Sequence, residues 1–351
     1  MTTRADVIEA HPNFPWLDAD CVSTIEAFLR KRTWIGPDET VAGCTKAGDG
    51  NMNLTLRIET DSRTFILKQA RPWVEKYDHI AAPWDRILYE QRFYERIQSI
   101  PTVAAAMPSL IASDAQARVI IMEDMGTSGV FSQAYNGETV PDDNRKALAQ
   151  YLAALHSETR DDTGSDFANR EMRMLNHEHM FLVPLAVENG MDLDAFESGL
   201  CKAASDLQSD LTFVDRVRET GERYLEDGPC LQHGDYFPGS WLNTRQGARI
   251  IDPEFCFRGD PEFDVGICLA HLRLSNHSPN HAAQFIKDYT THADGIALQG
   301  RWIARYASVE IMRRLLGVAQ LPIAPSTKAR RAWLTDSLRA MRAETIEALW
   351  S

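Results

Sequence analysis

None of the six cysteines, Cys21, Cys44, Cys201, Cys230, Cys256 and Cys268, forms a CxxC pair, which argues against a redox dithiol or a zinc ribbon; reduced structural thiols are expected. No stretch approaches the roughly 18 uninterrupted apolar residues of a membrane span. The polar start Met1-Thr2-Thr3-Arg4 carries no signal-peptide pattern, so a cytoplasmic protein with no membrane partner is the expectation. Positive charge is short: 37 Lys and Arg against 50 Asp and Glu leave a formal net charge of −13. Counterion release on a phosphate backbone needs clustered Lys and Arg, so no nucleic-acid partner is expected. Internal repeats and low-complexity tracts are absent as well.

What is present is a soluble, globular pattern of 351 residues, 44% hydrophobic and 25% charged, long enough for two lobes with a core each. From Met52 to Ile58 apolar and polar residues alternate, as in a half-buried strand. Asp61-Ser62 supplies a turn, and Phe65-Ile66-Leu67-Lys68 reads as the next strand of a small antiparallel sheet over residues 41–69. Pro83 marks a helix start, and Ile87, Leu88, Phe93, Tyr94 and Ile97 recur at helical spacing, with Glu90 midway. Val119-Ile120-Ile121-Met122 is a buried strand that ends in the polar Glu123-Asp124 crossover. The crossover is the expected boundary between an N-terminal lobe, residues 1–123 (helical leader, sheet, glycine turn, Lys68 and the Glu90 helix), and a C-terminal lobe, residues 124–351. Beyond it the signals turn helical around Leu148 to Leu155, through residues 195–225 and from about 299 to 350, with a hairpin over 229–252 as the exception.

The chemistry concentrates in that hairpin. His233-Gly234-Asp235 is followed by Asp252-Pro253-Glu254, each beside a short apolar run, which reads as a loop carrying Asp235 and a hairpin whose second strand delivers Asp252 and Glu254. Three carboxylates would then share one pocket. Phosphoryl transfer asks for such a set: one carboxylate orients an attacking hydroxyl and accepts its proton, while others hold Mg²⁺ against nucleotide phosphates. Gly48-Asp49-Gly50-Asn51 would let backbone amides approach a phosphate, although any hairpin turn asks for the same residues. Lys68 alone could be a solvated strand end. The order of glycine turn, strand, lysine, helix glutamate, crossover and carboxylates raises all of these together. His177-Glu178-His179 lacks the His-Glu-x-x-His spacing that puts two ligands on one helix face, so a surface or pocket role is the simpler reading.

The segment His233-Gly234-Asp235-Tyr236-Phe237-Pro238-Gly239-Ser240 resembles the catalytic loop of the aminoglycoside phosphotransferase and choline kinase superfamily, and Asp252-Pro253-Glu254 is similar to its metal motif as found in 5-methylthioribose kinases. Gly48 to Asn53, Lys68-Gln69-Ala70, Asp85-Arg86, Phe263-Asp264-Val265-Gly266 and Met312-Arg313-Arg314 resemble the same branch. The resemblance implies an α+β, bilobal, protein-kinase-like fold with a small antiparallel-β N-lobe and a larger, mainly helical C-lobe. It implies Asp235 as catalytic base, Asp252 and Glu254 as Mg²⁺ ligands, and ATP as cofactor. ATP would be bound by Gly48, Asp49, Gly50, Asn51, Lys68 and Glu90, with its adenine against the backbone of Glu123 to Met125. It further implies Asp264 and His233 as supports of the loop, Arg313 and Arg314 as a grip on the acceptor, and a homodimer.

Two departures from the pattern bear on the metal and on the substrate. Ser240 stands five positions after Asp235, where most of the superfamily has a metal-binding asparagine, and makes a shorter, neutral ligand. Tyr236-Phe237-Pro238 differs from the Leu-His-Thr associated with methylthioribose kinases, and its proline resembles the aminoglycoside group. The leading expectation is an ATP-dependent kinase for a small hydroxylated, sugar-like metabolite, 5-methylthioribose first. The alternatives are an aminoglycoside, amino alcohol or other hydroxylated acceptor, and a non-catalytic nucleotide-binding regulator. A protein kinase is disfavoured because no activation segment with an Ala-Pro-Glu ending follows Asp252.

Overall fold

The computed structural model describes residues 4–48, 52–126, 129–160, 162, 166–323 and 329–351. The expected site residues Asp49, Gly50 and Asn51 lie outside them. The chain divides into two compact units, Met1–Ser99 with Met107–Thr127, and Ile100–Ala106 with Ser128–Ser351. No described helix is long and apolar enough to cross a membrane.

The first unit opens with helices α1 (Arg4–Ala10) and α2 (Val22–Lys31), then strands β1 (Val41–Lys46), β2 (Leu54–Thr60) and β3 (Thr64–Gln69), a short hairpin of β4 (Trp73–Val74) and β5 (Tyr77–Ala81), and helix α3 (Arg86–Ile97). After the excursion through α4 (Pro101–Ala104) it closes with β6 (Leu110–Asp114) and β7 (Val119–Glu123). The sheet order is β1-β2-β3-β7-β6, and every pairing is antiparallel. The alternation in β2 does what period-two patterning dictates: Leu54, Leu56 and Ile58 are buried and join Phe65, Leu67, Val119 and Ile121 in a core against Ile25, Phe28 and Leu29 of α2. The strand starts at Leu54, however, so Met52 precedes it. On the other face of β3, Lys68 meets Glu90 of α3.

The helix expected from Pro83 begins instead at Arg86, after a turn at residues 84 and 85, and the Pro83 carbonyl accepts from both the Arg86 amide (3.4 Å) and its guanidinium (2.8 Å). Its fully buried guanidinium also donates to Asn53 Oδ1 (2.9 Å) and to the carbonyls of Met52 (2.7 Å), Arg71 (2.8 Å) and Trp73 (3.4 Å). One side chain thereby ties the entry to β2, the β3–β4 connection and the foot of α3 together.

The second unit is mainly helical: α5 (Asp142–Glu158), α6 (Arg170–His177), α7 (Leu200–Gln208), α8 (Leu211–Leu225), then α9 (Pro261–Leu274), α10 (Pro279–His292), α11 (Gly300–Leu316) and α12 (Arg330–Ala343). Helices α9 and α11 pack on each other and are buried along nearly their whole length. Between α8 and α9 lie β8 (Cys230–Gln232), β9 (Trp241–Thr244), β10 (Gly247–Ile250) and β11 (Phe257–Gly259). Strand β9 pairs with β10, and β11 returns to pair with β8, Phe257 opposite Gln232. The segments 233–240 and 251–256 are thus pinned at both ends by strand pairs. The expected second strand ends at Ile250: Asp252 has left-handed backbone (φ 65°) and Glu254 sits in a 3-10 turn, Pro253–Phe255, so neither carboxylate is delivered by a strand. Proline at the first position of that turn is the cause, since it cannot continue a ladder.

Candidate active site

In the first unit, Lys68 Nζ donates to Glu90 Oε1 at 2.6 Å, both side chains nearly sealed from solvent. A buried pair of this kind holds a lysine head in a fixed place, and removing one partner strands the other charge. Gly48 has left-handed backbone (φ 72°). At the crossover, Glu123 ends β7, with its amide donating to the Ser109 carbonyl at 2.9 Å. Met125 follows the clamped Asp124, whose carboxylate takes two bonds from Arg57, at 2.7 and 2.9 Å, and one from the Gly126 amide. Sequence reading passed over Asp124; its signal is Arg57, an outward position of β2 carrying a cation.

In the second unit the loop 233–235 hangs from Asp264 on α9. One carboxylate oxygen accepts from the His233 amide (2.6 Å), the other from the Gly234 amide (3.1 Å). Gly234 has φ 89°, and a Cβ there would stand 2.2 Å from the Phe255 carbonyl oxygen, so the position admits only glycine. His233 links the two motifs. Its Nε2 lies 3.0 Å from the Ile251 carbonyl and must carry the proton, leaving Nδ1 to accept from the Asp235 amide at 3.3 Å. Asn169 does similar work for the second motif, donating to the carbonyls of Glu254 (3.2 Å) and Cys256 (2.9 Å). Ser240 is buried, and its carbonyl accepts from the Ile251 amide at 3.0 Å.

Asp235 itself stands next to Arg313 and Arg314 of α11, whose guanidinium nitrogens lie 3.9 and 3.7 Å from its Oδ1. Although 27% of its side chain remains open, the protein packed around it strips hydration and pushes the carboxyl up to about 6. Arg314 and Arg313 pull against that rise, while Glu310 and Asp252 add to it, so the Asp252 charge reaches Asp235. Beneath the arginines lies Glu310, fully buried, 2.6 Å from Arg314 Nε and 2.8 Å from Arg313 Nε. Glu310 also meets His271 Nε2 (2.9 Å), and His271 Nδ1 meets the Tyr135 hydroxyl (2.6 Å). Burial lowers His271 to about 4, so the ring is neutral: Nε2–H donates to Glu310 and Nδ1 accepts from Tyr135. Sequence reading missed Glu310, His271 and Tyr135. Glu310 had a signal, an acid three and four positions ahead of two arginines on one helix; Tyr135 had none.

The structure therefore brings His233, Asp235, Asp264, Arg313 and Arg314 together in one unit, with Asp252 within electrostatic range, and Lys68 with Glu90 in the other. Among the described residues no three His, Cys, Asp or Glu side chains could hold a metal ion by themselves.

A family model described as the phosphotransferase enzyme family matches residues 43–298. Methylthioribose kinase from Geobacillus sp. is 24% identical over 267 residues, 70% of this chain and 64% of that protein. The Exiguobacterium sibiricum enzyme of the same name is 27% identical over 267 residues, 70% of this chain and 65% of that one. The chain thus spans just under two thirds of the length of these curated relatives. Among solved structures, a microcompartment-associated aminopropanol kinase shares the fold with a TM-score of 0.58 at 16% identity, over 93% of this chain and 99% of that one. With residues 43–298, most of its length, matched by that model, the chain belongs to the phosphotransferase enzyme family.

Proposed function

We propose that the protein is an ATP-dependent kinase that transfers the γ-phosphoryl group to a hydroxyl of a sugar-like metabolite, with 5-methylthioribose the first candidate. The observation that carries the reading is Asp235: a carboxylate on a loop braced by Asp264, raised to about 6 and flanked by two arginines. A base with that affinity is ionised at neutral pH yet takes a proton more readily than an ordinary aspartate. The acceptor hydroxyl would be oriented by Asp235 and lose its proton to it late in the transfer, while Lys68, held by Glu90, grips the nucleotide phosphates. Asp252 and Glu254, hard oxygen donors on a turn clamped by Asn169, suit Mg²⁺, which takes one or two carboxylates and fills its shell with phosphate and water. Bound there, Mg²⁺ would neutralise phosphate charge; Ser240 is a weaker third donor. Lobes at residues 1–123 and 124–351, apart from the excursion of residues 100–106, and adenine against the backbone of Glu123 to Met125 complete the proposal.

The arginines favour a sugar over the cationic alternatives. Two guanidinium groups beside the base offer several donors in a fixed fork to the oxygens of a sugar, whereas an ammonium group, which only donates, finds no acceptor on them. The test is ATP consumption with Mg²⁺ against methylthioribose, other pentoses, aminoglycosides and choline-like alcohols. Turnover is expected with a sugar, and Asp235→Asn is expected to lower it by about 10²- to 10⁴-fold while Mg-ATP still binds. Turnover by the variant within a few-fold of the parent would remove Asp235 from the role, and no ATP consumption with any acceptor would leave a nucleotide-binding regulator as the better reading.

A further inference from the structure

His177-Glu178-His179 has no part in the site described so far. It lies where α6 ends and the backbone widens into one π-helical turn, Glu178–Leu182. Such turns are rare and recur at functional positions. This one sends its side chains two ways. His177 stacks on Phe181, ring centroids 5.2 Å apart, and both lie against Gly221 of α8, where a Cβ would come within 2.8 Å of His177 Nε2. His179 is two residues from each, about half a turn round the axis, which leaves it the other side of the turn. The turn also packs against α11, and the charge of Arg313 reaches the His179 ring. Asn176, one helical turn earlier, is buried and takes Arg313 Nη1 on its Oδ1 at 3.2 Å.

The Nδ1 of His179 is buried and has no hydrogen-bond partner. Leaving a buried polar atom unsatisfied costs about 1–3 kcal/mol, and native proteins rarely keep one without a use for it. Burial lowers the ring's proton affinity, as does Arg313, against the opposite pull of Glu178, so the imidazole is neutral near pH 7. In a neutral imidazole Nδ1 either accepts or donates according to the tautomer, and a hydroxyl can answer it in both cases. An ammonium group only donates, and a phosphate or carboxylate only accepts. The charges around it agree, since the two positive charges of Arg313 and Arg314 are matched by Asp235 and Glu310.

We propose that His179 binds a hydroxyl of the acceptor next to Arg313 and thereby selects a neutral polyhydroxylated molecule over a cationic or an anionic one. This rests on the kinase reading above. The test is steady-state phosphorylation of 5-methylthioribose and D-ribose by the parent protein, by His179→Phe, which keeps a ring without nitrogens, and by His179→Gln, which keeps a donor and an acceptor. For His179→Phe the KM for the sugar is expected to rise about 10- to 100-fold, with kcat and the KM for ATP within about two-fold of the parent, and His179→Gln is expected to recover most of the loss. A sugar KM unchanged in His179→Phe, or sugar and ATP KM values rising together, overturns the assignment. If His179→Phe does not fold, His179→Ala is judged by the same criteria. A parent protein that consumes ATP with neither sugar overturns the sugar reading of the acceptor and this inference with it, whereas normal parental turnover with an indifferent His179→Phe overturns the inference alone.

Discussion

Asp235 is held in a state that folding disfavours and that the proposed transfer would use. Its carboxyl is raised to about 6 by burial, above the value it has in an unfolded chain, so its negative charge is better tolerated unfolded than folded. For a raised group the stabilising contribution is complete below the unfolded value and is lost as pH rises through about 6. At pH 7 to 8 Asp235 is therefore a net cost, and Asp235→Asn is expected to unfold at the same temperature as the parent or a few degrees above it in a thermal melt, even as turnover collapses. For activity the sign is reversed, because only the ionised carboxylate takes a proton. On the proposed role, kcat/KM is expected to fall about tenfold per pH unit below pH 6, read from initial rates at saturating Mg-ATP. Its place on a braced loop was legible in the sequence, because Asp235 follows a histidine and a glycine that cannot be replaced and precedes an acid pair. Its raised affinity was not legible, since it arises from burial and from Glu310, which lies far along the chain.

Among the elements, α11 shows how a helix can carry a charge cluster inside a core. Glu310, Arg313 and Arg314 are all buried, and the depressed proton affinity of Glu310 comes from the two arginines and His271 overcoming burial. For a depressed carboxyl the stabilisation is present above its ordinary value and is lost as pH falls. Glu310→Gln is expected to lower stability at pH 7 by about 3–5 kcal/mol, because it strands two buried cations. In urea titrations below about pH 5, where the parent loses this stabilisation, the variant's unfolding free energy should depend on pH less steeply than the parent's. Arg86 plays a comparable part at the foot of α3, and Arg86→Ala, which leaves several buried carbonyls without a donor, should cost about 3 kcal/mol or more in the same titration. Strand β2 was readable because one face is buried and the other is not. Helix α11 was readable as a helix, and the resemblance singled out Arg313 and Arg314, but Glu310 was passed over because burial on all sides erases the periodicity that marks a face. The start of α3 was misplaced because Pro83 precedes a turn at residues 84 and 85 rather than serving as the first helical residue.

At the scale of the whole molecule, the two-unit α+β architecture followed from length, strand alternation and the order of motifs, while the path of the chain between units left no mark in composition. All six cysteines are unpaired, so a reducing agent is expected to leave the melting temperature unchanged within about 1 °C. A nucleotide that binds only the folded chain raises stability by about 2.7 kcal/mol at a hundredfold excess over its Kd. On the proposed role, Mg-ATP is expected to raise the melting temperature by several degrees, and EDTA to abolish most of that rise.

The excursion of residues 100–106 has a consequence for anyone who cuts this molecule. The chain leaves the first unit after Ser99, lends α4 to the second, where it packs on α5 and its Ala106 carbonyl takes the Ile250 amide at 2.8 Å, and comes back at Met107. Val103, fully buried in the intact chain, loses that shelter in any fragment that stops near residue 123. Neither half is a continuous stretch of polypeptide, and scissors applied at the obvious seam would sever a stitch that runs back and forth across it.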